Sequence, residues 1–159
     1  MKQTSEGLKI GDVVENIYSG QRMTIIYISE NHGAFHNIYH CAWFTVKDSL
    51  QIDLFSEHQL QCIVSLLQTT HTENQVEINA KFPLKSKVLL NHQSYSESPT
   101  IVVLETVTNE GIAHAICKWI TSEGNTGVDI FPLAALKNIV NTDKNDDNTL
   151  IDPLIKIST

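Results

Sequence analysis

The sequence predicts an all-β protein made of two small five-stranded units in tandem. Two observations support this class. Short runs rich in β-branched and aromatic residues recur about every 8–12 residues with turn residues between them, and helical periodicity is scarce. The chain also repeats itself at an offset of 76 residues, where positions 24–64 share ten identities with positions 100–140. Unrelated segments of this composition would share roughly two or three.

The repeated positions predict the domain boundaries and the core. We expect a first unit at 1–68, a connector at 69–84, a second unit at 85–144 and a C-terminal tail at 145–159. Strand alternation places Tyr39, Cys41 and Trp43 on one face of the third strand, with His40, Ala42 and Phe44 on the other. We expect the repeated residues to form the two cores, and the alternative is that each Trp offers a surface platform to a ligand. The expected core residues are Cys41, Trp43, Phe55, Cys117, Trp119 and Phe131.

The strands are predicted in matching order in the two units. Gly-containing turns such as Ser19-Gly20 and Glu123-Gly124-Asn125 suit hairpins. The segments 56–59 and 132–135 each suit a single helical or 3₁₀ turn before the last strand. Five strands with one such turn is the plan of an SH3-like β-barrel, so we expect two tandem SH3-like barrels. The predicted strands are 13–18, 23–29, 38–46, 50–55 and 61–67, then 87–90, 100–108, 112–121, 127–131 and 137–140.

Composition and charge exclude several classes of protein. Hydrophobic residues make up 42% of the chain, but no apolar run approaches the ~20 residues of a bilayer helix, so we expect no membrane span. The region from Met1 to Asp12 lacks a signal-peptide pattern, and we expect a cytoplasmic protein. The 18 acidic and 11 basic residues give a net charge of −7, and Arg22 is the only arginine, which disfavours nucleic-acid binding.

No metal site or catalytic motif is predicted. His32, His36 and His40 are spaced by four and precede Cys41, but strand residues four apart lie ~13 Å from each other, so we expect solvated or interface histidines rather than zinc ligands. The acidic segment 143–150 resembles a calcium loop but lacks the required Gly and the bidentate Glu. The three cysteines form no C-x-x-C pair and read as reduced thiols; a Cys–His nucleophile pair is the alternative. We therefore expect no enzyme activity and no cofactor.

Four ordered motifs carry a family resemblance over about residues 9–60. They are Lys9-Ile-Gly-Asp-Val-Val14, Ser19-Gly-Gln-Arg-Met-Thr-Ile25, Cys41-Ala-Trp-Phe44 and the segment from Phe55 to Leu60. In these motifs the first unit resembles a family of small bacterial proteins of unknown function, the YodC-like domain. The resemblance implies a small β-barrel without a known reaction.

These observations predict a non-enzymatic binding or adaptor protein that presents loops and sheet edges to a protein partner. The expected binding residues are Tyr18 and Arg22 in the first turn, with His36 and His40 nearby. A second copy of the chain, paired through the tail at 150–157 or through sheet edges, is another expected partner. Nucleic-acid binding is the alternative function. Its candidate surface is the least acidic one, around Lys81, Lys85, Lys87 and Lys118.

Overall fold

The computed structural model describes residues 7–30, 36–65, 82–94 and 99–139. It confirms the all-β class, because each half of the chain forms one five-stranded antiparallel sheet. Sheet A is built by the first half, and a 3₁₀ turn at Glu57–Gln59 precedes its last strand. The strands of sheet A are β1 (Val13–Asn16), β2 (Arg22–Ser29), β3 (Ile38–Phe44), β4 (Leu50–Ser56) and β5 (Leu60–Val64).

Sheet B is built by the second half in the same way. A 3₁₀ turn at Leu133–Ala135 again precedes the last strand. Each of the ten strands begins within two residues of its predicted first residue. The strands of sheet B are β6 (Lys87–Leu90), β7 (Ile101–Asn109), β8 (Ile112–Ile120), β9 (Thr126–Pro132) and β10 (Leu136–Asn138).

The two sheets have the same strand order. Sheet A runs β4-β3-β2-β1-β5 and sheet B runs β9-β8-β7-β6-β10, so in each half the last strand pairs with the first. The described strands leave each sheet open, since no ladder joins β4 to β5 or β9 to β10. The structure therefore corrects the prediction of two closed barrels to two open sheets. A closed barrel would require β4 to pair with β5, and β9 to pair with β10.

The strand pairing corrects the alignment of the repeat in the first two strands. Val14 pairs with Met23 and Val88 pairs with Ile101, so Ile101 is the counterpart of Met23. The ungapped offset of 76 residues matches Ile101 to Ile25 instead. The physical reason is a longer connection after the first strand in the second half, 91–100 against 17–21. The third and fourth strands keep the original offset.

Each half has a buried apolar cluster, and the two clusters differ in how they are covered. The sheet A cluster contains Val14, Met23, Ile25, Tyr39, Cys41, Phe55 and Leu60, with Leu8, Ile28 and Trp43 partly buried against it. The sheet B cluster also takes in residues of the other half, which are Ala42 together with Ile26, Phe44 and Leu50. The outer face of sheet A therefore covers the core of sheet B, and the halves share one interior.

Polar bonds reinforce this contact between the halves, which we call the junction. The indole N–H of Trp119 donates to the Asp48 carbonyl at 3.1 Å. The Ser122 amide and hydroxyl both donate to the Lys47 carbonyl, at 3.1 and 3.0 Å. The ring of Phe44 meets Trp119 edge-on, with centroids 5.2 Å apart. The halves are thus held together by hydrogen bonds to backbone carbonyls as well as by apolar packing.

His92 supplies a second set of junction bonds. Its amide donates to the Thr24 hydroxyl at 3.0 Å, and the same hydroxyl lies 2.8 Å from His92 Nδ1. Burial, and then the nearby Lys137, lower the pKa of His92 to about 4. The ring is therefore neutral near pH 7, and the hydroxyl that accepts the amide bond can donate its own proton to Nδ1.

Candidate interaction surface

The described part of sheet A carries an exposed apolar patch around His40. Register places Tyr27 and Leu54 on either side of His40 across β2, β3 and β4, and Ile52 lies next to Leu54 on the same face. Tyr27, Ile52 and Leu54 are 55%, 44% and 53% exposed. We call Tyr27, His40, Ile52 and Leu54 the His40 surface. It adjoins the outer-face residues that the second half covers.

The imidazole of His40 is held in place within this surface. Its Nε2 lies 2.9 Å from the Ser29 hydroxyl, and the Tyr27 ring meets it edge-on with centroids 4.9 Å apart. A fixed polar atom among exposed apolar side chains is the usual composition of a protein-binding site. The surface can therefore offer both apolar contact and one oriented hydrogen-bonding group.

Strand β4, which carries Ile52 and Leu54, has part of its free edge capped by a side chain of its own and by one from the 3₁₀ turn that follows it. The Asp53 carboxylate accepts the Leu54 amide at 2.8 Å, and Gln59 Oε1 accepts the Ser56 amide at 2.9 Å. In sheet B, Asp129 accepts the Ile130 amide in the same way at 2.7 Å. Both aspartates belong to the repeated positions. Capped edge amides resist pairing with another strand, so β4 presents its side chains more readily than its backbone.

The structure does not bring the four expected binding residues together. Tyr18 is 78% exposed in the first turn, where Asn16 Oδ1 accepts its amide at 2.9 Å. Arg22 begins β2 and lies 3.9 Å from the Glu15 carboxylate. His36 and His40 lie toward the other end of β2, since Ser29 pairs with Ile38. A strand of this length spans about 20 Å, so Tyr18 and Arg22 lie at one end of β2 and His36 and His40 lie toward the other. A binding role for any of the four residues stays a prediction.

The remaining histidine and metal expectations have separate outcomes. His36 is exposed, and its ring packs edge-on against His58 at 5.4 Å between centroids. Among the described residues no group of three or more His, Cys, Asp or Glu side chains could hold a metal ion. His32, the calcium-like segment 143–150 and the tail at 150–157 lie outside the described residues. Of the candidate lysines, Lys85, Lys87 and Lys118 are exposed, and Lys81 lies outside the described residues.

The expected core residues lie where the two clusters form. Cys41, Phe55, Cys117, Trp119 and Phe131 are buried, and Trp43 is partly buried. Burial, and then a neighbouring aspartate, raise the pKa of Cys41 and of Cys117 to about 12. Both thiols therefore stay protonated at neutral pH and are poor nucleophiles.

The first sequence motif forms a buried turn that the second half has altered. Gly11 has a φ of 96°, and the buried carboxylate of Asp12 accepts the Lys9 amide at 2.9 Å. In the second half the corresponding residues are Lys85, with a φ of 65°, and Ser86. The same backbone bonds identify them, since the Gly11 amide donates to the Ile25 carbonyl and the Lys85 amide to the Val103 carbonyl.

The altered turn leaves a polar group unsatisfied. The Ser86 hydroxyl is buried and has no hydrogen-bond partner among the described atoms. Lysine at a positive φ is also strained, because its Cβ crowds the backbone. The motif is therefore better adapted to this turn in the first half than in the second.

Sequence reasoning missed two groups of residues. Tyr27, Ile52 and Leu54 could have been identified from the sequence, because they pair with or flank His40 in the predicted hairpins. The junction residues Thr24 and His92 had none, because their contact depends on how the two halves pack.

The fold and its surfaces define an all-β protein of two like sheets with an exposed apolar patch on the first. Residues 9–60 match the family described as "Uncharacterized small protein (DUF2158)". This match covers the same residues as the YodC-like resemblance and agrees with it. Neither the curated proteins nor the solved structures contain a match to the chain. No helix in the described ranges is long and apolar enough to cross a membrane.

Proposed function

We propose that the protein is a non-enzymatic binding protein whose two halves are SH3-like units, and that a protein partner docks on the His40 surface. The SH3-like assignment is supported by the strand order, with the last strand returning to the first after a 3₁₀ turn in both halves. The three free cysteines fit a reducing compartment, so we place the protein in the cytoplasm.

The observation that carries the docking proposal is the contiguity of three half-exposed apolar side chains around His40. Isolated exposed apolar residues are ordinary, but a cluster around an oriented polar group favours recognition. Residues 1–75 hold 8 acidic and 4 basic side chains, so this half is net negative. The partner therefore presents an aromatic or aliphatic side chain flanked by Lys or Arg.

A displayed library of random peptides, selected on the immobilised full chain, tests this proposal. We expect the selected peptides to combine an apolar anchor with basic neighbours and to lose at least tenfold in affinity for Leu54→Glu. Val64→Glu is the matched control, because Val64 is 48% exposed on the opposite edge strand of sheet A. No enrichment, or equal binding by the two variants, would contradict the proposal.

Nucleic-acid binding is the second candidate function, and one observation favours it. Lys87 pairs with Val102, which pairs with Lys118, so the two lysines share a row across β6, β7 and β8. The net charge of −7 opposes this role. A mobility shift of single-stranded DNA and RNA that weakens with salt and disappears in Lys87→Glu/Lys118→Glu would support it. Unshifted nucleic acid at low salt would exclude it.

A further inference from the structure

At the junction, one surface of the first half packs against a different surface of the second half. Because the two halves have the same fold, each half contains the counterparts of both surfaces. On the first half, the surface that docks includes Ile26, Ala42 and Phe44, and we call this the docking face. On the second half, the surface that receives it includes His92, Trp119 and Ser122, which we call the receiving face. The junction occupies the docking face of the first half and the receiving face of the second.

The second half has its own docking face, which is exposed. Matching registers make Lys118 the counterpart of Ala42 and Ile120 the counterpart of Phe44. Leu104 is the counterpart of Ile26, since each lies at the bulge of its strand. Leu104 is 40% exposed and Ile120 is 55% exposed. Apolar side chains at positions that are covered in the first half are therefore left in solvent in the second.

The first half also has its own receiving face. The Ile17 amide donates to the Gln59 carbonyl as the Asn91 amide donates to the Ala135 carbonyl, so the next residue, Tyr18, corresponds to His92. Trp43 corresponds to Trp119 by register. Val46 holds the position of Ser122 in the matching hairpin turn.

The exposure of this receiving face supports a partner there. Ile17, Tyr18 and Val46 are 50%, 78% and 99% exposed, and Trp43 is partly buried. Three large apolar side chains therefore lie in solvent at positions whose counterparts in the second half contact the other half. The first half therefore exposes its receiving face, just as the second half exposes its docking face.

We propose that copies of the chain associate head to tail, the docking face of the second half of one copy (Leu104, Lys118 and Ile120) packing on the receiving face of the first half of the next (Tyr18, Trp43 and Val46). The contact between two copies would use the same pair of surfaces as the junction within one copy. A head-to-tail contact of this kind uses different surfaces on the two copies and extends into a ring or a filament.

Charge favours the same pairing. Lys118 lies on the docking face of the second half, and Lys87 lies in the same row two strands away. The first half that would receive them carries 8 acidic and 4 basic residues over positions 1–75. The contact is therefore expected to weaken with salt. It is separate from the His40 surface, so either proposal can fail alone.

Sedimentation equilibrium of the full chain tests the assembly. We expect the average mass to rise above 17.8 kDa with concentration and the association constant to fall at least tenfold in Ile120→Lys and in Tyr18→Lys. Ile112→Lys is the matched control, because Ile112 is 48% exposed at the far end of the same strand. Thermal unfolding of each variant checks that it is folded.

Mixing the two variants distinguishes head-to-tail from face-to-face association. Ile120→Lys keeps its receiving face and Tyr18→Lys keeps its docking face, so an equal mixture should form a dimer that grows no further. A wild-type mass of 17.8 kDa up to about 1 mM would overturn the proposal. Equal weakening by Ile112→Lys, or no dimer in the mixture, would also overturn it.

Discussion

Trp119 of the second half donates its indole N–H to the carbonyl oxygen of Asp48 in the first half at 3.1 Å. The bond ties the core of sheet B to the β3–β4 turn of sheet A, where Asp48 has a φ of 60°. A core side chain of the second half thus forms a hydrogen bond with the backbone of the first half. The corresponding first-half residue, Trp43, is only partly buried.

Replacing Trp119 by Phe should therefore destabilise the protein more than replacing Trp43 by Phe. Trp119→Phe removes the junction hydrogen bond and part of a buried ring, and we expect a loss of about 1–3 kcal/mol in the free energy of unfolding. Trp43→Phe should cost less than half of that. Urea unfolding followed by circular dichroism measures both, and equal losses would show that the junction bond adds nothing.

Gly127→Ala should disturb Trp119 from the neighbouring strand. Gly127 pairs with Trp119, and a Cβ built on Gly127 would overlap the indole ring of Trp119. The ring would have to leave its place in the core, so we expect a loss of about 2 kcal/mol or more in stability, with a shift in tryptophan fluorescence. Gly7→Ala is the control, because nothing lies within 4 Å of a Cβ there. An unchanged melting temperature in Gly127→Ala would contradict this geometry.

Lys85→Gly should stabilise the protein. Lys85 adopts a φ of 65°, and glycine removes the crowding of its Cβ, a gain of about 1 kcal/mol that the greater chain entropy of glycine partly offsets. The reverse experiment is Gly11→Ala, which places a Cβ at a φ of 96° and should destabilise by about 1 kcal/mol or more. Denaturant midpoints for both variants should move in opposite directions. A lower midpoint for Lys85→Gly would refute the strain.

His92 should make the junction sensitive to acid. Its folded pKa of about 4 lies below the ordinary histidine value of 6.5, so its contribution is complete above pH 6.5 and is lost as the pH falls toward 4. The shift corresponds to up to about 3 kcal/mol. Asn in its place retains an acceptor for the Thr24 hydroxyl but does not titrate. Unfolding free energies at pH 7 and pH 4.5 should therefore differ more for the wild type than for His92→Asn, and parallel losses would exclude His92 as the cause.

The sequence could predict the strands because each one carries a strong local pattern. The third strand shows how far that goes. Alternation correctly separates Cys41 and Trp43 from Ala42 and Phe44, yet these residues make both faces of the strand apolar, which is typical of a strand covered on both sides. That pattern contained the signal for a shared interior. It did not identify what covers the second face, because that depends on the docking of a distant segment.

The candidate surface was predictable in part for a similar reason. His40 was selected from the sequence, and its cross-strand neighbours Tyr27 and Leu54 follow once the hairpin register is known. Only closeness along the chain groups Tyr18 and Arg22 with His40. An antiparallel strand carries its two ends far apart, so sequence distance was a poor guide to distance in space.

The burial of Ala42 and Phe44 by the second half has a consequence during synthesis on the ribosome. The first half emerges first, and its outer face stays uncovered until the residues that contact it are made. At roughly 5–20 residues per second this interval lasts several seconds. A nascent chain halted between the halves would expose an apolar surface that the finished protein hides, and it would be a natural substrate for chaperones.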